Sequence, residues 1–425
     1  MCQGALGQNI FSISTGPGED ASRQIGISWA TSLTVRSSYI LYTLSSDASW
    51  SSAIKVLPQQ EELCTVFQGV HSNRADGSEF YEDAVFTKCG AFLTSLKPDT
   101  EYKYVIVDAT DAENPVRSSE HHFRTAGASS WSACVISDFH SYTPLPGRLT
   151  AAMGMIDKIQ EIDPSLDFVF SPGDVVAWGG SYSFWKRLFE EPNFEELMWA
   201  RVNGNHDNWT KDSQVTRNFD IPNDYFRYTS YFPLNGYRGE LGVCYHFRYG
   251  NTLFLMLNTE DMNDKKGEFE PAADWVRSVV AQERASDNPP TFVVACMHYE
   301  WFIGTNGRTS EYGRWSKVFD EVGVDLALAG NNHVYLRTLP LYAGEKTDGK
   351  HRGTVYMQTS ASDNDRGRAL SEDPLQNADL IETRWTEGPH SVSAIHMEVT
   401  PKSIKLTLRD RTGSPLAACT LPAKR

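Results

Sequence analysis

Five short motifs gather the residue types that bind metal ions: Asp138-Phe139-His140, Gly173-Asp174, Gly204-Asn205-His206-Asp207, Met297-His298 and Gly330-Asn331-Asn332-His333. Each alone is weak, since Asp-x-His arises by chance and Gly-Asp after a strand is often only a turn. Gly204–Asp207 says more, because glycine permits an exposed bend and both Asn and His can act as ligands or donors. Together the motifs supply the oxygens and nitrogens that a two-metal centre requires. Such centres hold divalent ions roughly 3.5–4 Å apart across a carboxylate, clamp a phosphoryl group and activate a water.

Donors so far apart in sequence need elements that converge. The motifs stand directly after strand-like runs such as SACVISD (132–138), LDFVFS (166–171), TFVVACM (291–297) and VDLALAG (324–330). LTAAMGMIDKIQEI (149–162) carries helix-spaced apolar residues, and PAADWVRSVVAQERA (271–285) reads as a helix with Pro at its start. GTVYMQTS (353–360), SAIHMEVT (393–400) and SIKLTLRD (403–410) return to strands. This order predicts a layered α/β sandwich, with ligands bound where strand C-termini open into a crevice. SDNDRGRALSEDP (362–374) is a polar loop at the rim, and the long connection 208–232 is a candidate substrate-binding loop.

Residues 10–125 follow a different grammar: short alternating runs, IGISWAT (25–31) and YILYTL (39–44) among them, separated by Ser/Asp/Gly turns. TSLKPDTEYKYVIV (94–107) has the spacing of a tyrosine corner, with Leu96, Pro98 and Tyr102 at the turn and Trp29 in the core. The expected division is an all-β sandwich over 1–127 and a catalytic α/β unit over 131–425, with GASS (127–130) as linker.

Composition narrows the function. The 425 residues include 39 basic and 54 acidic side chains, a net charge of −15, which disfavours a nucleic-acid polymer but not a small phosphorylated substrate. No apolar run approaches the roughly 20 residues of a membrane helix. The seven cysteines form no CxxC pair, which argues against a zinc finger or redox dithiol; Cys64 and Cys89 could pair in an oxidising compartment. MCQGALGQNI lacks the features of a leader, and Cys2 would suit a trimmed lipoprotein anchor. The expectation is an exported protein, periplasmic, surface-anchored or secreted, in a mature form.

These motifs resemble those of the calcineurin-like metallophosphoesterases: D-x-H, G-D, G-N-H-D/E, H and G-H-x-H. The arrangement is most similar to the purple acid phosphatase branch, in which a fibronectin type III-like domain precedes the catalytic αββα sandwich. CYHFRYGN (244–251), Trp275, ACMHYEWF (295–302) and LAGNNHVYLRT (328–338) extend the resemblance. It implies hydrolysis of phosphate esters by a metal-bound hydroxide at a dinuclear centre of Mn, Fe, Zn or Mg ions. A nucleotide pyrophosphatase or phosphodiesterase on the same centre is the alternative. By resemblance, the first ion takes Asp138, His140, Asp174 and His333. The second takes bridging Asp174, Asn205 and His298, with Asn331 at the remaining position. His206 would face the phosphoryl or leaving-group oxygen, with Asp207 holding its tautomer and raising its pKa.

Two departures stand out. Asn331 replaces the first His of G-H-x-H, so a neutral oxygen stands where imidazole is expected; this favours harder ions or a weaker, phospho-ligand-binding site. Ala177 occupies the position of the tyrosine that colours the iron centre, which implies a colourless protein.

Overall fold

The computed structural model describes residues 9–66, 71–72, 79–80, 84–127, 130–179, 181–207, 244–258, 269–303, 307–368, 377–386, 388 and 392–423. The 208–232 connection, Cys2, His390 and part of the 127–130 linker lie outside these residues.

The first part is two facing sheets. Ile10–Pro17, Ile25–Thr31, Ala84–Leu93 and Gln60–Val66 form one, and Ile54–Val56, Ser38–Leu44, Glu101–Asp108, Val116–Arg117 and His121–Arg124 form the other. Alternating inward residues, Ile27, Trp29, Ile40, Tyr104 and Ile106, make the core between them. Trp29 Nε1 donates to Ser38 Oγ (3.0 Å), and Tyr102 Oη accepts from the Lys97 amide (2.9 Å), closing the turn as the tyrosine-corner spacing predicts. Cys64 and Cys89 are unbridged. Cys64 stands opposite Phe86 and Cys89 opposite Glu61, an odd offset that puts the two thiols on opposite faces of their sheet.

From Trp131 onward, strands and helices alternate. Trp131–Val135, Phe168–Ser171 and Met198–Arg201 run parallel, and Ser393–Thr400, Ser403–Asp410 and Pro415–Pro422 extend the sheet antiparallel. A seven-stranded sheet faces it, built on parallel Thr252–Met256, Phe292–Cys296, Leu326–Ala329 and Val355–Gln358. The period of two is visible in its strands. Phe254, Met256, Val294 and Cys296 enter the core between the sheets, while Leu253, Leu255, Val293 and Ala295 pack beneath helices Phe269–Arg284 and Ser310–Val322. Helix Gly147–Ile162 covers the other sheet. Each fully buried Leu, Val or Phe contributes about 1.5–3 kcal/mol, so the wide double-sided core gives the strand ends a rigid base.

The two parts share one sheet. Ile10–Pro17 pairs in parallel with Met198–Arg201 at Thr15 and Met198, making a ten-stranded sheet continuous across the expected boundary. Thr15 Oγ1 donates to Leu197 O (3.4 Å), and the Phe86 and Tyr182 rings stack 5.0 Å apart beside this seam.

Candidate metal centre

All five motifs follow their strands at the same edge of the two facing sheets. Asp138 and His140 follow Val135, Asp174 follows Ser171, Asn205–Asp207 follow Arg201, His298 follows Cys296, and Asn331 and His333 follow Ala329. Asp138, His140, Asp174, Asn331 and His333 have φ between 46° and 63°, the left-handed region that side chains with a Cβ avoid. They are five of the ten non-glycine residues with positive φ among those described, so backbone strain gathers on these loops. Two glycines admit the carboxylates. A Cβ on Gly204 would lie 2.1 Å from Asp174 Oδ1, and one on Gly330 would lie 2.6 Å from Asp138 Oδ2.

Three overlapping groups result: Asp138–His140–His333, His140–Asp174–His206 and Asp138–Asp174–His298. All of their residues are buried, and the ligand atoms within each group lie within 4.8 Å of one another. Asp174 Oδ2 is 3.2 Å from His140 Nε2 and 3.4 Å from His298 Nε2, and the latter is 3.1 Å from Asn205 Oδ1. Asp138 Oδ1 is 3.5 Å from His333 Nε2. The outer nitrogens are tied down. His298 Nδ1 donates to Pro172 O (2.8 Å), His333 Nδ1 to Arg366 O (2.6 Å), and His140 Nδ1 meets Asp363 Oδ2 (3.2 Å). Each imidazole therefore turns Nε2 inward, as ligand histidines do when a hydrogen bond fixes their tautomer.

The charges are mutually supporting. Burial opposes ionisation of Asp174, but the charge of His298 and the hydrogen bonds from His140 and His298 hold its carboxyl well below the ordinary range. Asp138 is likewise lowered against its burial, chiefly by His333. His298 is pushed up to about 10, because Asp174 outweighs desolvation.

His206 and Asp207 differ from expectation. The Asp207 carboxylate accepts the amides of Asp174 (2.8 Å), Gly204 (2.8 Å) and Val176 (3.0 Å), fastening two ligand loops together. The His206 ring instead donates from Nδ1 to Ala177 O (2.9 Å). Deep burial, helped by the nearby His140 and Arg366 charges, pushes its pKa well below the ordinary value instead of up, against the pull of Asp174 and of the Ala177 carbonyl. Burial and the neighbouring Asp174 charge raise Asp207 to about 7.

Asn331 is present at the edge of the cluster. Its backbone N–H donates to both Asp138 oxygens (3.0 and 3.2 Å), and its side-chain amide nitrogen donates to the Glu300 carboxylate. Trp301 is core, packed on Phe319 and Tyr356, and Arg337 pairs with Glu382 (3.1 Å). His246 meets Glu19 (3.5 Å) and His396 meets Asp163 (3.1 Å), both outside the three groups. Motif reading missed Asp363, Arg366 and the Ser137 hydroxyl, which donates to Asp138 Oδ2 (2.5 Å). The first two lie in the 362–374 rim loop, and its polarity was their only signal.

Comparison with known proteins agrees with this fold. Purple acid phosphatase PPD1 from yellow lupin (Lupinus luteus) seeds superposes with a TM-score of 0.74, covering 97% of this chain and 74% of its own at 15% identity. PhoD superposes with a TM-score of 0.60, covering 98% and 90% at 12% identity. At such identities the likeness speaks to the fold alone. The uncharacterized proteins Rv2577 and MT2654 of two Mycobacterium tuberculosis strains are 25% identical over 310 residues, 65% of this chain. The chain covers 55% of the length of each. The family described as calcineurin-like phosphoesterase matches residues 133–335, the segment from strand Trp131–Val135 to the strand after His333. The chain therefore carries a calcineurin-like phosphoesterase domain over residues 133–335.

Proposed function

We propose that this chain hydrolyses phosphate esters at a centre holding two divalent ions, with a small phosphorylated molecule as substrate. The observation that carries the reading is the position of Asp174, whose carboxylate lies between His140 and His298 and belongs to two of the three potential ligand groups. Asp138, His140, Asp174 and His333 would hold one ion. Asp174, Asn205, His298 and Asn331 would hold the other. Bound there, the ions would neutralise phosphoryl charge and acidify a water.

The protein's own part is orientation. Pro172 O, Arg366 O and Asp363 aim the imidazoles, and Asp207 locks the Asp174 and Gly204 loops. Neutral His206, with its proton on Nδ1, presents Nε2 as an acceptor beside the cluster. Its Nε2 can accept a hydrogen bond from a water or a protonated oxygen at the centre, and the ring is not a permanent cation. Asn331 offers a hard amide oxygen, which favours Mn²⁺ or Mg²⁺ over Zn²⁺ at the second position. The N-terminal sandwich, with its Tyr102 corner, supports a fibronectin type III-like reading of that part.

A phospho-ligand-binding protein without turnover is the second reading, favoured by the Asn331 amide being engaged by Glu300. The test is hydrolysis of aryl phosphate mono- and diesters by stripped protein reloaded separately with Mn²⁺, Mg²⁺, Zn²⁺ and Fe²⁺. Ion-restored turnover is expected. Ligand binding without turnover under every ion would transfer the conclusion to the second reading.

A further inference from the structure

The turn from Asp363 to Arg366 belongs to none of the five motifs, yet it is anchored on the centre from both sides. It follows Val355–Gln358, another strand ending at the same edge. Asp363 Oδ2 meets His140 Nδ1 (3.2 Å), while Asp363 Oδ1 accepts the Arg366 amide (2.8 Å). The Arg366 carbonyl accepts from His333 Nδ1 (2.6 Å). Arg148 grips the intervening Asp365 through two hydrogen bonds of 2.7 and 2.8 Å. The backbone of residue 366 is thus fixed by the histidines that face the centre.

Its side chain points back toward the cluster. Arg366 Nη2 lies 3.4 Å from His206 Nε2. Since His206 Nδ1 carries the proton donated to Ala177, Nε2 is an acceptor and a guanidinium N–H faces it. A half-buried guanidinium is thereby held at the mouth of a cluster that would bind a phosphoryl group.

We infer that Arg366 is a substrate-contacting residue, its guanidinium binding the non-bridging oxygens of the phosphoryl group and selecting terminal phosphate monoesters over diesters. The inference rests on the phosphoesterase reading and deepens it. A monoester dianion has three terminal oxygens, so it can engage the centre and still offer oxygen to a planar, two-pronged donor. A diester has two terminal oxygens and a single charge, and the centre would use both. Its second ester group would also meet the guanidinium without a compensating hydrogen bond.

The test uses the full chain reloaded with Mn²⁺, as wild type, Arg366→Gln and Arg366→Lys. Ion stoichiometry by elemental analysis, inorganic phosphate binding by calorimetry, and kinetics on aryl mono- and diesters are measured together. Both variants should keep their ions, because the backbone of residue 366 holds His333. Phosphate binding should weaken about 10- to 100-fold in Arg366→Gln and recover partly in Arg366→Lys, as expected for a lost charge-assisted hydrogen bond. Monoester KM should rise by a similar factor and diester KM should stay near wild type. Unchanged phosphate binding in Arg366→Gln overturns the inference, and so do equal losses on both esters or loss of the ions. A wild type that takes up neither ions nor phosphate overturns the phosphoesterase reading and this inference with it.

Discussion

Two buried histidines, one in the N-terminal sandwich and one at the candidate metal centre, are driven in opposite directions. His121 stacks on Tyr104 with ring centroids 5.2 Å apart, and burial, helped by the charge of His122, pushes its pKa down to about 4. His298 is at least as enclosed, yet the Asp174 and Asp138 carboxylates push it up to about 10. The same contrast holds for other polar groups. In the sandwich, Trp29 and Tyr102 bury an aromatic body and satisfy one polar atom each with one hydrogen bond. At the centre, Asp138, Asp174 and Asp207 are all buried, and Asp138 and Asp174 themselves adopt strained, positive-φ backbone. The sandwich is arranged for its own stability. The centre spends the stability of the adjoining core to keep charge where a cation can use it.

Substitutions should separate these regions, and the largest effect is expected at Asp174. Asp174→Asn should lower turnover by about 1000-fold or more and abolish the thermal stabilisation that ions give, which at 100 Kd amounts to about 2.7 kcal/mol. Calorimetric scans with and without Mn²⁺ read this directly; a wild type whose midpoint ignores the ion would erase the contrast. Asp363→Asn removes the charge behind His140, so ion affinity should drop about 10- to 100-fold by titration, with the fold intact in circular dichroism.

Sandwich changes should move stability and leave KM alone. His121 has a folded pKa below its unfolded value of about 6.5, so its contribution is complete above that pH and is lost as pH falls toward 4. Wild type should lose about 1–3 kcal/mol relative to His121→Phe across that window in denaturant melts. A wild-type-to-variant difference that stays flat from pH 7 to 4.5 would remove the assignment. Tyr102→Phe, which deletes only the acceptor for the Lys97 amide, should cost about 0.5–1.5 kcal/mol with kinetics unchanged.

The residues legible in the sequence were those whose role is local. Strand ends and the Tyr102 corner are fixed by neighbours in the chain, and motif spacing records them. Helix Ser310–Val322 was legible but unread: Thr309 caps its start by accepting from Tyr312 N (3.1 Å), and Gly323 ends it at φ 63°. Asp363 and Arg366 were not legible. Their partners His140, His333 and His206 are at least 33 positions away, so only the folded sheets bring them together. Asp207 shows a subtler limit, since the family resemblance implied contact with the His206 ring while the chain turns the carboxylate to backbone amides.

The pairing of Thr15 with Met198 has a consequence for how the chain is assembled. During synthesis the strand Ile10–Pro17 emerges about 180 residues before its parallel partner, and such distant pairings form slowly. Until Met198–Arg201 arrives, one margin of the young sandwich has unpaired amides and carbonyls, the kind of edge on which chains add to one another. The same logic applies to cutting the molecule. A fragment beginning near Trp131 would bare the opposite margin, beside the strand that leads into Asn205 and His206, and would be expected to cluster before it could work as a smaller catalyst.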